Sequence, residues 1–202
     1  MTMTGKSRGT YAKTAGRRRD ILEAGIEVFA NHGFRNGSLR EIAERVGMSQ
    51  AGLLHHFANK NELLAGVLEL RDDRSLALVG LDETPGIETI RGMARVAEYN
   101  AIEAPGLVEL HCVLSAEATA PEHPAHQYFF NRYKFVVDLL GEAFTNARNA
   151  GQLIDGVDPG SAARSLVALS DGLQVQWLLD PDSLDMAEEL RRYLRPLFTV
   201  EI

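Results

Sequence analysis

The chain has 202 residues, of which 45% are hydrophobic and 24% charged, and a single cysteine. That supports one or two packed domains, while lone Cys112 excludes an internal disulfide framework and reads as a small buried apolar side chain. A net charge of −7 would argue against a polyanionic partner if it were spread evenly, but residues 1–60 hold ten Lys or Arg against five Asp or Glu and the remainder eleven against 23.

A basic N-terminal part on an acidic remainder offers nucleic acid one face and repels it elsewhere. No signal peptide, no long uncharged apolar stretch and no paired Cys/His spacing for zinc is present, so a soluble, cytoplasmic protein with no cofactor and no metal is expected. The first sixteen residues, MTMTGKSRGTYAKTAG, are polar and basic and predict a flexible arm, with Lys6, Arg8 and Lys13 free to meet phosphates or a minor groove. Arg17, Arg18 and Arg19 then open an amphipathic helix with Ile21, Leu22, Gly25, Val28 and Phe29 on one face and Gly33 as its stop. Cations at that end oppose the helix macrodipole, which phosphate partners would offset.

Residues 38–57, SLREIAERVGMSQAGLLHHF, read as two short helices joined by a tight turn. Ser38 is an N-cap and Glu41, three residues on, completes a capping box. Leu39, Ile42, Ala43 and Val46 form an apolar face, Gly47 ends the first helix and Ser49 caps the second. Leu53, Leu54 and Phe57 are assigned to the core, leaving Gln50, Ala51, Gly52, His55 and His56 outward. A helix-turn-helix presents the start of its second helix to base edges; Ala51 and Gly52 permit close approach, and Gln50 can pair with adenine. An ordinary helical hairpin is the plainer reading, but the flanks favour a headpiece, since Asn59 can cap a further helix carrying Leu63, Leu64, Val67 and Leu68.

After about Leu81 and the turn DETPG, helical patterns continue without β alternation: residues 87–103, 106–119, 125–151, 161–180 and 184–198, with Gly or Pro at the breaks. His123 and His126, with Glu117 and Glu122 nearby, suggest a metal, but a polar loop of this kind reads better as a solvated turn, and no metal site is assigned.

The segments ILEAGIEVFANHGF and SLREIAERVGMSQAGLLHHFANKNELL resemble the TetR (tetracycline-repressor) family of regulators. The matching features are Ser38 at the second helix, the turn Gly47-Met48-Ser49, and the closing run His55, His56, Phe57 and Lys60. The chain departs from the pattern at Leu54, where a phosphate-binding Tyr is common, and at His55, which replaces an aromatic but can still donate a hydrogen bond. The resemblance is specific over residues 18–67 and beyond that rests on length and helical character.

It implies an all-α fold of about nine helices: the flexible arm 1–16, a helix-turn-helix DNA-binding domain 17–62, and a ligand-binding and dimerisation domain 63–202. The DNA set is then Arg17, Arg18, Ser38, Arg40, Ser49, Gln50, Ala51, Gly52, His55, His56 and Lys60. A pocket is expected from the aromatic and polar-tipped residues Tyr99, His111, Cys112, Phe129, Phe130, Tyr133 and Trp177. The apolar stripes of the last two helices, Leu166, Leu169, Leu173 and Trp177 with Leu190 and Leu194, are assigned to a two-fold homodimer interface. The expected function is a ligand-responsive repressor that binds a palindromic DNA operator as a homodimer and is released by a small-molecule effector. The alternatives are a ligand-independent or co-repressor-dependent regulator, or a helical enzyme, for which no nucleophile motif, phosphate loop or metal spacing is present.

Overall fold

The computed structural model describes residues 7–80 and 84–202, with side chains from residue 14 onward. Among these are nine α-helices and no strand: α1 Ser7–Asn36, α2 Leu39–Arg45, α3 Gln50–Leu54, α4 Lys60–Val79, α5 Ile87–Ile102, α6 Pro105–Glu117, α7 His126–Asn149, α8 Pro159–Leu179 and α9 Met186–Leu194. A 3-10 turn, Arg195–Leu197, follows α9, and an isolated bridge joins Leu153 to Phe198. No described helix is long and apolar enough to cross a membrane.

Short polar side chains cap several of the helix starts. Ser49 Oγ accepts the Gly52 N–H at 3.0 Å, Asn59 Oδ1 the Glu62 N–H at 2.9 Å, and Asp158 Oδ1 the Ser161 N–H at 2.8 Å. Ser38 Oγ takes the Arg40 N–H at 3.2 Å, but the expected capping box is not closed. Glu41 turns instead to Arg45 Nη2, at 3.0 Å, and lies 3.6 Å from His32 Nε2, because two cationic or protonatable donors outcompete one backbone N–H.

Three expectations change. Helix α1 begins at Ser7, so residues 7–16 are helical where an arm without secondary structure is expected. That stretch contains no proline, and a helix nucleated by packing at Ile21 to Phe29 extends at propagation cost only. The rest of the arm, including Lys6, lies outside the described residues. Leu54 is 38% exposed rather than in the core, since Leu53 takes the inward position of this short helix and the next residue turns about 100° away.

The third change concerns the interface. Leu166, Leu173, Leu190 and Leu194 are buried within the protomer, and Leu169 and Trp177 pack against the same cluster. An apolar stripe in a helical bundle first fills its own core. Leu166, Leu173, Leu190 and Leu194 therefore face inward, Leu169 and Trp177 are half-buried beside them, and the surface that α8 presents outward carries Ser165, Ala168, Gly172, Val175 and Leu179, the last 82% exposed.

Two apolar clusters organise the molecule. The first joins Phe29, Ile42, Leu53, Phe57 and Leu64 of the N-terminal helices to Leu107, Leu110 and Leu114 of α6 and Phe129 of α7. The second holds Ile90, Val108, Leu140, Phe144, Leu166, Met186 and Leu190. The headpiece thus shares one core with the body, and the expected boundary at residues 62 and 63 falls in the first turn of α4. Helices α4 and α5 meet where Gly92 lies so close to α4 that an added Cβ would stand 2.7 Å from Val79 Cα.

Candidate nucleic-acid interface and effector cavity

Ile42 and Ala43 of α2 and Leu53 of α3 anchor the helix pair inward. That leaves Ser38, Arg40, Ser49, Gln50, Ala51 and His55 exposed on one end of the molecule, with Arg17, Gly52 and His56 half-buried beside them. Arg40 pairs with Glu44 at 2.8 Å and Arg17 lies 3.6 Å from Asp20, both at surface positions where such pairs are readily exchanged.

Two other cations of the expected DNA set have partners inside the chain. Arg18 donates to the His56 carbonyl and stacks its guanidinium 3.9 Å above the Phe57 ring, tying α1 to the end of α3. Lys60 Nζ donates to the Arg35 carbonyl at 3.2 Å and lies 4.6 Å from the centre of the Phe34 ring. Burial holds the Lys60 pKa below its ordinary value, with Glu117 opposing.

Glu117, the last residue of α6, reaches the kink at Gly33 near the end of α1. Its Oε2 accepts the Phe34 N–H at 2.8 Å, and His123 Nε2 lies 3.4 Å from the same oxygen. Gly33 sits beneath it at φ 68° and ψ 179°, a conformation suited to glycine, and a Cβ there would overlap the Glu117 carboxylate. Nδ1 of His123 accepts the Ala125 N–H at 3.2 Å, and Nδ1 of His126 lies 2.8 Å from the Ala118 carbonyl.

A cavity of about 410 Å³ opens in the body between α4, α5, α6, α7, α8 and α9. Leu76, Met93, Val96, Val108, Phe135, Leu139, Val167 and Leu190 supply apolar walls. Two polar clusters interrupt them. In the first, Asp72 Oδ1 accepts from Arg71 Nη1 at 3.3 Å and from Arg132 Nη1, while Oδ2 accepts the Tyr128 hydroxyl at 2.6 Å. In the second, Asp171 Oδ2 accepts the Tyr133 hydroxyl at 2.8 Å and Oδ1 lies 3.0 Å from His111 Nε2.

Burial, aided by the Arg71 charge, lowers the His111 pKa to about 4, so the ring is neutral near pH 7 and donates to Asp171 from Nε2. Burial pushes the Tyr128 hydroxyl up to about 12 and that of Tyr133 higher, which keeps both phenols protonated. The Cys112 thiol is pushed up to about 11, again chiefly by burial, and is an unreactive side chain at neutral pH.

Of the residues expected in a pocket, His111 and Tyr133 line this cavity. Phe129 is packed in the first apolar cluster, with its ring centroid 5.9 Å from that of His111. Trp177 packs against the second, Tyr99 and Cys112 are half-buried outside the lining, and Phe130 is 61% exposed. Sequence reading missed Arg71, Asp72, Asp171 and Gln174. The run Arg71-Asp72-Asp73-Arg74 reads as solvated charge, yet Val67, Arg71, Ser75 and Val79 recur every four residues and are all buried, which places Arg71 on the inward face.

Residues 21–67 match the family described as bacterial regulatory proteins, tetR family, and residues 103–199 the C-terminal region of BetI-type transcriptional repressors. The chain is similar to the HTH-type transcriptional regulator TtgR of Pseudomonas putida, at 27% identity over 194 residues covering 88% of this chain and 87% of that protein. It is similar to the HTH-type transcriptional regulator UidR of Escherichia coli, at 24% identity covering 85% of both. Among solved structures it is similar to SmeT, the repressor of the Stenotrophomonas maltophilia multidrug efflux pump SmeDEF, with 25% identity, a TM-score of 0.68 and 90% coverage of both chains.

Proposed function

Because the chain belongs to the TetR family of DNA-binding transcriptional regulators, we propose that it is a homodimeric repressor whose grip on a palindromic operator is released by a small molecule bound in the body. Residues 17–62 form the DNA-binding unit and residues 63–202 the effector and dimerisation unit. Gln50, Ala51 and Gly52 at the start of α3 face base edges, and Arg17, Ser38, Arg40, Ser49, His55 and His56 face phosphates. Arg18 and Lys60 act mainly by holding α1 against α3 and α4. Dimerisation uses the outward face of α8, whose small Ala168 and Gly172 beside Val175 and Leu179 let a symmetry mate approach. Two headpieces must then stand about 34–36 Å apart to read successive major grooves.

The observation that carries the reading is the cavity beside α6. His111 lines it, and Glu117, six residues further along the same helix and about 9 Å away by helical rise, holds the turn that leads into α2. An effector that displaces the His111–Asp171 pair shifts α6 and, through Glu117, the α2–α3 unit. Linkage requires the effector to favour the released state by the coupling energy, commonly about 1–3 kcal/mol. That SmeT is a repressor supports the sign of regulation.

The test is a mobility-shift assay on DNA selected from the source genome, comparing wild type with a Gln50→Ala, His55→Ala double variant at fixed salt. Specific binding by a dimer, lost in the variant, is expected. Absence of any sequence preference after genome-wide selection would overturn the proposal.

A further inference from the structure

Among the described residues, four buried side-chain polar atoms lack a hydrogen-bond partner, and three of them belong to residues that line the cavity: Arg71 Nε, His111 Nδ1 and Gln174 Oε1. Arg71 is the one that carries charge, and it is only 5% exposed. A guanidinium does not neutralise itself in a protein, so its burial must be met by a counter-charge. The adjacent carboxylate, Asp72, is shared between Arg71 and Arg132, and its second oxygen is occupied by Tyr128. One anion therefore serves two cations. The other carboxylate lining the cavity, Asp171, is committed to Tyr133 and His111 in a separate cluster.

We propose that the effector is an amphipathic organic anion, with a carboxylate seated against Arg71 and Arg132 and an apolar body lying along Met93, Val96, Phe135 and Leu139. The assignment rests on the reading of this cavity as the effector site. The volume, about 410 Å³, is in the lower part of the ~300–1,000 Å³ range of small-molecule pockets, so one acidic head and one compact apolar body fill it. Local charge has to do the selecting, because residues beyond 60 carry a large acidic excess that repels anions in general. Asp171 sharpens the orientation, since a carboxylate head placed beside it meets repulsion. It also defines the rival ligand, an amphipathic cation.

The experiment is calorimetric titration of the purified protein with decanoate, methyl decanoate and decylamine, three probes that share an apolar chain and differ in head-group charge. Decanoate is expected to bind one site per protomer at least tenfold more tightly than the ester, with decylamine weakest. Arg132→Gln, which leaves the more deeply buried Arg71 in place, should abolish the preference for the acid while leaving the thermal unfolding transition cooperative. Arg71→Met should do the same, and if it fails to fold the Arg132→Gln result decides. Equal binding of acid and ester, tighter binding of the amine, or binding of none of the three overturns the proposal. Operator binding is followed on the same samples. Release by the ester or amine leaves the regulator reading intact while the anion assignment falls, whereas a chain that never binds a specific operator removes the premise of both.

Discussion

Replacing Glu117 with alanine removes a side chain that ties the end of α6 to the kink at Gly33 in α1. The carboxylate accepts the Phe34 N–H at 2.8 Å and is only about one-quarter exposed. A hydrogen bond to a charged acceptor contributes about 1.5–3 kcal/mol, and the bare Phe34 N–H left behind adds a desolvation penalty. Water can reach part of the site and offsets some of that loss, so the expected destabilisation is about 1–2 kcal/mol. For a domain of this size that corresponds to a fall in Tm of about 2–8 °C. Glu117→Gln keeps an acceptor oxygen and gives up only the charge, so it should retain more than half of the stability lost in the alanine variant.

Differential scanning calorimetry reads the stability, and operator affinity measured at one salt concentration reads the coupling. The alanine variant should weaken operator binding beyond its effect on folding, because the kink at Gly33 precedes α2 in the chain and the proposed coupling runs through it. A Tm within 1 °C of wild type, or equal losses for alanine and glutamine, would refute the assignment of Glu117 as the hydrogen-bonded link.

Gly92→Ala places a Cβ 2.7 Å from Val79 Cα, and because the obstacle is backbone the overpacking should cost about 1–3 kcal/mol by urea titration. His111 supplies an acid limb: the unfolded chain takes up a proton near the ordinary value of 6.5 and the buried ring only near 4, so stability present above pH 6.5 is lost as pH falls toward 4. The loss attributable to this group is about 3 kcal/mol, and His111→Gln should flatten that part of the stability–pH curve. A Val175→Asp, Leu179→Asp double variant should sediment as a folded monomer, since both side chains are exposed within the protomer. A dimer that survives the change would move the interface elsewhere.

The starts of α3, α4 and α8 were legible because each is written in a residue whose side chain satisfies a local donor: Ser49, Asn59 and Asp158 all cap as their chemistry requires. The headpiece was legible for the same reason, with Gly47 at its turn and Leu53 and Phe57 inward. What was not legible depends on which of two apolar environments receives a face. The stripes of α8 and α9 have the composition of an interface, and nothing local says that Leu166 and Leu190 meet Leu140 and Phe144 of the same chain. Arg71 was missed for a related reason: it stands in a run of charged residues, while Arg132 and Tyr128, which share Asp72 with it, come from α7, about sixty residues away.

The same long-range placement gives α6 its particular position. Its Leu107, Leu110 and Leu114 belong to the cluster shared with the headpiece, and Val108 to the cluster of the body. His111 lies between these contacts, on the cavity, and Glu117 follows at the junction. A close-packed helix of thirteen residues does not bend to serve two cores independently. In the proposed release mechanism, movement at His111 would reach both clusters at once and be taken up at the kink where Glu117 holds Phe34. The Gly33 conformation makes that kink specific, because its positive φ and the Glu117 carboxylate above it exclude a Cβ on two grounds. Substituting Leu114 by alanine should consequently lower stability without uncoupling the sites, at about 2–5 kcal/mol for a fully buried leucine. Glu117→Ala, the cheaper change in stability, should be the one that uncouples them.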